Sequence, residues 1–171
     1  MWANMYPGIT YFLLNNPSTL HHLTEEVRSS FSNPGMINSD STQNLHYLFA
    51  VIEGLRLFPA VAAGLQRLSP GAEVDGYYVP RGTTVSISPW IQTHSEQYFH
   101  DARGFHPERW LPDDHPLYDP AYKNDAKDAS KPFLIGPRAC LGINLAYMEM
   151  RIILARLVWE FDWQLLSKDI D

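Results

Sequence analysis

The single cysteine of the chain lies in a segment whose residue types favour a thiolate. Cys140 occurs in FLIGPRACLG, residues 133–142, directly ahead of a helical pattern. A helix N-terminus lowers the pKa of a thiol through its dipole and free N–H groups, and Arg138 adds a cation two residues away. Gly136 permits backbone conformations closed to other residues and lets a large planar group approach closely, while Gly142 keeps the first helical turn clear of side chains. The segment suits a thiolate ligand, and the alternative is a buried, unreactive thiol. Zinc is poorly supported, because no C-x-x-C or H-x-x-x-H spacing surrounds the cysteine.

A pair of opposite charges stands inside an otherwise apolar helical segment. Glu53 and Arg56, in FAVIEGLRLFPA, share a helix face at their spacing and can pair. A surface ion pair is the alternative, and it would stabilise little. A buried pair needs further hydrogen-bond partners, and Arg109, in FHPERWLP, could dock its guanidinium on Glu53. The sequence predicts a buried structural network of Glu53, Arg56 and Arg109.

The elements that position these residues are mainly helical. Apolar spacing predicts a helix capped by Ser18 or Thr19, and a second that starts at Ser41 or Thr42 and is limited by Pro59. The segment AEVDGYYVPRGTTVSIS predicts a small hairpin or β-meander. We expect helices over 9–58, a β-rich part over 60–90, a long loop or meander over 105–132, the cysteine segment and a last helix over 133–160, and a short strand over 161–166. The apolar face predicted for the last helix contains Leu141, Leu145, Met148, Ile152 and Ala155.

Composition excludes several classes of protein. The net charge of −6 and the pI near 5.6 argue against a nucleic-acid partner, which requires clustered Lys and Arg. One cysteine excludes an internal disulfide and fits a reducing compartment. No apolar run approaches the roughly 18–20 residues that span a bilayer, and the opening MWANMYPGIT lacks the features of a signal peptide. These features predict a soluble chain.

In this order, the three segments resemble the cytochrome P-450 family of haem-thiolate monooxygenases. The cysteine segment matches the family pattern F-x-x-G-x-R-x-C-x-G at Phe133, Gly136, Arg138, Cys140 and Gly142. Glu53 and Arg56 match the E-x-x-R of the family's K helix, and PERW matches the meander segment that carries Arg109. The resemblance runs from about Ile9 to the C-terminus and is strongest to fungal members of secondary metabolism. It implies one mainly α domain with a small β-sheet over 1–171, comprising the end of the I helix, the J and K helices, the meander, the cysteine loop and the L helix.

The resemblance also implies a cofactor, partners and a location. Cys140 would be the axial thiolate ligand of haem b, with Arg138 paired to a haem propionate and Phe133 packed near the sulfur. Arg67, in GLQRL, would be a further propionate partner, and residues 59–64 would line the substrate pocket. The reaction would insert one oxygen atom from O2 into a small hydrophobic organic substrate, with electrons from NADPH through an NADPH–cytochrome reductase. Family members work at the cytoplasmic side of the endoplasmic reticulum, whereas this chain, with no anchor in its sequence, is expected in the cytoplasm.

The chain matches only the C-terminal part of family members. Their oxygen-side helix carries an A-G-x-x-T-type stretch that would fall before GITYFLLNNP, where this chain has MWANMYP, and Thr10 lies too late in the pattern. We therefore name no catalytic residue and expect the chain alone to be inactive, with any NADPH consumption ending in peroxide. Asn144 takes a place often held by a basic residue near the reductase surface. The alternatives are a noncatalytic haem-binding fragment or regulator, and a truncated product that does not fold stably.

Overall fold

The computed structural model describes residues 5–166, and its first elements are two consecutive helices. Helix α1 covers Met5–Asn15, helix α2 covers Pro17–Ser30, and a 3-10 turn follows at Pro34–Met36. Helix α2 begins slightly ahead of the predicted caps Ser18 and Thr19, because Pro17 occupies its first position. Proline is preorganised there and gives up only an N–H that the helix would leave unpaired. Of MWANMYP, the first four residues lie outside the described part of the chain.

Helix α3, over His46–Ala50, continues through a 3-10 turn at Val51–Glu53 into helix α4 at Gly54–Leu57. The predicted start at Ser41 or Thr42 is wrong, because the Asn38 side chain accepts hydrogen bonds from the amides of Asp40 and Ser41 and holds a turn there. The first turn of α3 is capped instead by the Glu26 carboxylate of α2. This carboxylate accepts hydrogen bonds from the amides of Tyr47, at 2.8 Å, and Leu48, at 2.7 Å.

The middle of the chain forms two small antiparallel pairings. Strands β1 (Arg67–Leu68) and β4 (Thr84–Val85) pair with Arg67 opposite Val85, and strands β2 (Ala72–Val74) and β3 (Tyr77–Val79) pair with Glu73 opposite Tyr78. Asp75 and Gly76 join β2 to β3 with φ angles of 50° and 79°. Two central residues with positive φ match the right-handed twist of a tight hairpin. The predicted β region thus consists of two short ladders.

The second half of the chain contains little regular structure before its last helix. Helix α5 covers Pro89–Thr93, and the predicted long loop contains 3-10 turns at Pro107–Trp110, Pro120–Tyr122 and Lys127–Ala129. Each of the first two turns has a proline at its start. A further 3-10 turn at Gly136–Arg138 precedes helix α6, over Ile143–Glu160.

The strand predicted over 161–166 is not formed. The backbone at Phe161 is extended, but residues 161–166 pair with no strand in the described part of the chain. Arg28 of α2 instead donates hydrogen bonds to the carbonyl oxygens of Val158 and Phe161, each at 3.2 Å, and pairs with Asp162 at 2.8 Å. The end of α6 is therefore tied to α2 by a side chain.

The core lies between α1, α2, the α3–α4 run and α6. Its fully buried side chains include Leu13, Leu23, Val27, Leu48, Met150 and Val158. Helix α6 packs with Ala146, Met150, Leu154, Ala155 and Val158, whereas Leu141 and Leu145 of the predicted face are exposed. Apolar residues occur on most sides of this helix, so its periodicity did not identify the packed side. Within residues 5–166, no helix combines the length and apolar character that crossing a bilayer requires.

Candidate functional site

The cysteine loop is closed by a backbone hydrogen bond at its base. The Cys140 amide donates to the Phe133 carbonyl oxygen at 2.9 Å, and the Ala139 amide donates to the Gly136 carbonyl oxygen at 3.0 Å. Leu134 and Gly136 both have positive φ, of 63° and 72°. Only the glycine adopts this conformation without a steric penalty. The chain turns tightly here and presents the thiol of Cys140 at the loop's end.

Cys140 lies just ahead of α6. Gly142 precedes the first helical residue, Ile143, and the Ala146 amide donates to the Gly142 carbonyl oxygen at 2.8 Å. The Cys140 residue is partly exposed, and a Cβ added at Gly142 would lie 3.9 Å from its sulfur. The absence of a side chain at Gly142 therefore leaves open space beside the thiol.

Several apolar side chains close to Cys140 in the sequence are uncovered. Leu141 is 103% exposed, Ile135 is 69% exposed and Leu145 is 51% exposed. A Cβ added at Gly136 would meet no atom within 4 Å. A soft thiol ligand, uncovered apolar side chains and an open glycine turn form a surface that a planar apolar group with a metal centre would complete. The residues present therefore fit haem, the cofactor that the resemblance implies.

The two predicted propionate partners are both exposed but lie on different elements. Arg138 is exposed on the 3-10 turn beside Cys140, and Arg67 is exposed on β1, where its guanidinium donates to the Gln66 carbonyl oxygen at 2.9 Å. Neither forms an ion pair within residues 5–166. Arg138 shares the cysteine loop, whereas no ion pair or side-chain hydrogen bond in the described chain joins Arg67 to it, and both roles stay predictions.

The structure brings Glu53, Arg56 and Arg109 together. Arg56 Nε donates to Glu53 Oε1 at 2.5 Å, and Arg109 Nε lies 2.9 Å from the same oxygen without its N–H aligned on it. All three side chains have at most 1% of their surface exposed. Arg56 also donates to the carbonyl oxygens of Thr93 (2.6 Å), Ala102 (2.5 Å) and Gly104 (2.9 Å). Its guanidinium thus joins α4 to the end of α5 and to the segment that follows it.

Two further polar partners, Asp125 and Trp110, were not predicted from the sequence. Arg109 Nη1 donates to Asp125 Oδ2, and the Trp110 indole N–H donates to Glu53 Oε2. Asp125 Oδ1 accepts a hydrogen bond from the His100 amide at 2.8 Å, so this carboxylate also fixes the backbone at His100. Trp110 could have been found from its position beside Arg109 in PERW, whereas Asp125 lies in a loop without periodicity and gave no signal.

Aromatic rings cover the two guanidinium groups. The Phe99 ring centroid lies 4.9 Å from the Arg56 guanidinium carbon and 5.7 Å from that of Arg109, and the Tyr122 centroid lies 4.5 Å from Arg109. Such cation–π contacts gain strength where water is excluded. The rings and carbonyl oxygens thus replace the solvent that two buried cations would otherwise require.

Burial opposes the charges that this network carries. Desolvation raises the pKa of Glu53, although Arg56, Arg109 and the indole N–H of Trp110 favour its ionised form. Desolvation likewise lowers the pKa of Arg56, against the attraction of Glu53. A buried ion network of this kind is stable only while every member keeps its partners.

Aromatic packing connects this network to the cysteine loop. The Tyr147 ring of α6 lies 5.0 Å from the Phe133 ring and 5.7 Å from the Phe49 ring of α3, centroid to centroid. Phe49 and Tyr147 also line a cavity of about 100 Å³, together with residues that include Glu53 and Trp110. The Tyr147 ring therefore contacts both α3 and the base of the cysteine loop, and the cavity lining adds Trp110 of the meander.

Comparison with known proteins shows which family the chain is similar to. The Cytochrome P450 family model matches residues 8–171. The chain is 54% identical to cytochrome P450 monooxygenase poxC of Penicillium oxalicum, over 98% of this chain and 35% of that protein. It is 55% identical to cytochrome P450 monooxygenase BOA3 of Botryotinia fuckeliana, over 94% of this chain and 32% of that protein, and 48% identical to btcC of Colletotrichum orbiculare, over 96% and 32%.

These comparisons cover nearly all of the chain but not all of the relatives. The chain spans about a third of the length of the curated relatives it matches. The matched residues, 8–171, contain the cysteine loop and the residues of the Glu53–Arg56–Arg109 network. On these grounds, the chain belongs to the cytochrome P450 family.

Proposed function

We propose that the chain supplies the thiolate-ligand part of a haem monooxygenase. The observation that carries the proposal is the partly exposed Cys140 at the end of a closed loop, with uncovered apolar side chains close to it in the sequence. The family implies a haem–thiolate cofactor, and the relatives are named monooxygenases. The proposed reaction inserts one oxygen atom from O2 into a small organic substrate of the kind made in secondary metabolism.

The residues of the chain would hold the cofactor from one side. Cys140 would provide the thiolate, Arg138 would pair with a propionate, and Phe133 would pack beside the sulfur. When bound, a thiolate-ligated haem supplies O2 activation, because the thiolate donates electron density that favours O–O cleavage. Gly136 and Gly142 would keep side chains away from the porphyrin plane. Arg67 would add a second propionate contact.

Electrons for the reaction would come from NADPH through a partner reductase. The exposed side chains of Leu141 and Leu145 follow the cysteine within two helical turns and would exclude water from the thiol if the bound cofactor covered them. An anionic sulfur shielded from water is a stronger electron donor, since no solvent hydrogen bond competes for its charge. The chain's own contribution is therefore to position the thiolate and keep it dry.

Thiol protection tests this proposal directly, because the chain has one cysteine. The chain is titrated with haem, and alkylation of Cys140 by iodoacetamide is followed by mass spectrometry. We expect stoichiometric haem to slow alkylation by at least about tenfold, since a coordinated thiolate is not available as a nucleophile. Metal-free protoporphyrin serves as the matched control for coverage of the thiol without metal ligation. Equal alkylation rates with and without bound haem would contradict the proposal.

A further inference from the structure

The cysteine loop is anchored by its ends and not by its middle. Residues 135–139 are all exposed, and an added Cβ at Gly136 would meet no atom within 4 Å. Phe133, at the start of the loop, is partly buried and packs against the core. Within residues 5–166, the side-chain packing that holds the start of the loop therefore comes from Phe133.

The backbone beside Phe133 needs such an anchor. Leu134 has a φ of 63°, in the left-handed region, where a residue with a Cβ is strained. Strained conformations persist only where the surrounding contacts hold them in place. The Cys140 amide donates a hydrogen bond to the Phe133 carbonyl oxygen at 2.9 Å, but a single backbone hydrogen bond contributes only modestly to stability. The loop therefore requires a further contact at Phe133.

Tyr147 of α6 provides that contact. The ring centroids of Tyr147 and Phe133 lie 5.0 Å apart, with the ring planes inclined by 56°. This separation falls in the range that aromatic pairs prefer. The ring pair joins the residue that begins the cysteine loop to the helix that follows the loop. It therefore closes the same segment of chain that the backbone hydrogen bond of Cys140 closes.

The Tyr147 ring is itself held by a third element. The ring of Phe49, on α3, lies 5.7 Å from the Tyr147 ring, centroid to centroid, with the planes inclined by 30°. The preceding residue, Ala146, is fully buried in the core. A side chain fixed by packing on rigid elements can position a ligand-bearing loop more precisely than the loop can position itself. Tyr147 meets this requirement.

We propose that Tyr147 is a positioning residue for the Cys140 ligand. It acts through Phe133: the Tyr147 ring holds the start of the cysteine loop, and the loop holds the thiol in place for haem. This role rests on the proposed function. The contact lies between two side chains of this chain, so it does not depend on what covers the exposed residues of α6.

Hydrogen exchange of the Cys140 amide in the haem-free chain tests the proposal, because this amide donates the bond that closes the loop. Tyr147→Leu removes the ring but keeps an apolar side chain with good helix propensity. We expect exchange at Cys140 to become about three- to tenfold faster in this variant, as the loss of one aromatic pair predicts. Tyr147→Phe keeps the ring and should exchange like the parent. The matched control is Ile153→Ala, at an exposed position of the same helix, and it should also exchange like the parent.

The absorption spectrum of the reduced, CO-bound chain after reconstitution with haem gives a second readout. Loss of a contact with no bearing on the ligand would leave the share of thiolate-type spectrum unchanged. We expect Tyr147→Leu to lower this share, because a loop that opens more often presents the thiol in place less often. Tyr147→Phe should keep the share of the parent.

Several outcomes would overturn the role of Tyr147. These are unchanged exchange in Tyr147→Leu, faster exchange with an unchanged thiolate-type spectrum, and a Tyr147→Phe variant that behaves like Tyr147→Leu. A parent without a thiolate-type spectrum would instead overturn the proposed function, and with it the role that rests on it, so the two failures are distinguishable. Should Tyr147→Leu fail to fold, Phe133→Leu removes the same ring pair from the other side. Unchanged exchange at Cys140 in that variant would equally overturn the proposal.

Discussion

The amide of Cys140 donates a hydrogen bond to the carbonyl oxygen of Phe133, with the two atoms 2.9 Å apart. This bond closes the cysteine loop at its base, and Phe133 in turn packs its ring 5.0 Å from that of Tyr147 on α6. The position of the thiol therefore depends on the backbone of the loop, and the loop in turn is held by the contact between the Phe133 and Tyr147 rings.

Backbone conformation at Gly136 gives the first prediction. Its φ of 72° is left-handed, and an added Cβ would meet no atom within 4 Å, so any penalty comes from backbone strain and not from a clash. Gly136→Ala should destabilise the loop by about 1–2 kcal/mol, and Gly136→Asn by less, because asparagine tolerates this region. Haem titration and urea unfolding of both variants measure the difference. An alanine variant as stable as the parent, with unchanged haem affinity, would contradict this explanation.

The buried network gives the second prediction, through Arg56. This side chain donates hydrogen bonds to Glu53 and to three backbone carbonyl oxygens. Arg56→Gln should lower the free energy of unfolding by about 3–5 kcal/mol, since it leaves buried acceptors unpaired. Arg56→Lys should also be strongly destabilising, because lysine lacks the planar fork.

Urea denaturation measures these effects, with the exposed Arg81→Gln as the matched control. The control should change stability by no more than about 0.5 kcal/mol. If Arg56→Gln unfolded at the same urea concentration as the control, the network would not contribute to stability.

Asp125 gives the third prediction, as the partner that sequence reasoning did not find. Its carboxylate accepts from Arg109 and from the His100 amide, with 2% of the side chain exposed. Asp125→Asn should destabilise the chain by about 2–4 kcal/mol, because Arg109 loses a buried counter-charge. Asp128→Asn, whose fully exposed side chain pairs with Lys131, is the matched control and should have little effect. Equal unfolding midpoints for the two variants would show that Asp125 is not part of the network.

Glu26 gives the fourth prediction, as a cap supplied by another helix. Its carboxylate accepts from the first amides of α3, at Tyr47 and Leu48. Glu26→Gln should cost about 1–2 kcal/mol, the range for the loss of a strong helix cap. The neighbouring Glu25→Gln removes an exposed carboxylate 3.4 Å from His21 and should be nearly neutral. Thermal unfolding of the pair measures this, and a larger loss for Glu25→Gln would reverse the assignment.

Local pattern predicted much of the fold but not its tertiary contacts. Apolar spacing identified α2, and the alternating segment AEVDGYYVPRGTTVSIS identified the hairpin, because those signals lie within a few residues. The start of α3 was mispredicted because its cap, Glu26, comes from another helix. The final strand was also mispredicted, because Arg28 donates hydrogen bonds to the carbonyl oxygens at the end of α6 and no partner strand is present there in the described chain.

The candidate site was predictable to a similar extent. Glu53 and Arg56 stood out as charges in an apolar helix, and that isolation implied a third partner, which Arg109 is. Asp125 could not be recognised, because only the closure of the meander brings it to Arg109. The packed side of α6 was mispredicted for a related reason: an apolar helix shows which residues can be buried, whereas its neighbours decide which ones are.

The central claim is that Cys140 provides a thiolate ligand to haem. The most direct measurement is the absorption spectrum of the reduced, CO-bound chain after reconstitution with haem, compared between the parent, Cys140→Ser and the adjacent Ala139→Ser. We expect a thiolate-type spectrum for the parent and for Ala139→Ser, and its loss in Cys140→Ser, since the chain has no other thiol. A thiolate-type spectrum that persists in Cys140→Ser would contradict the claim that Cys140 is the ligand. Haem that binds the parent without a thiolate-type spectrum would contradict it equally.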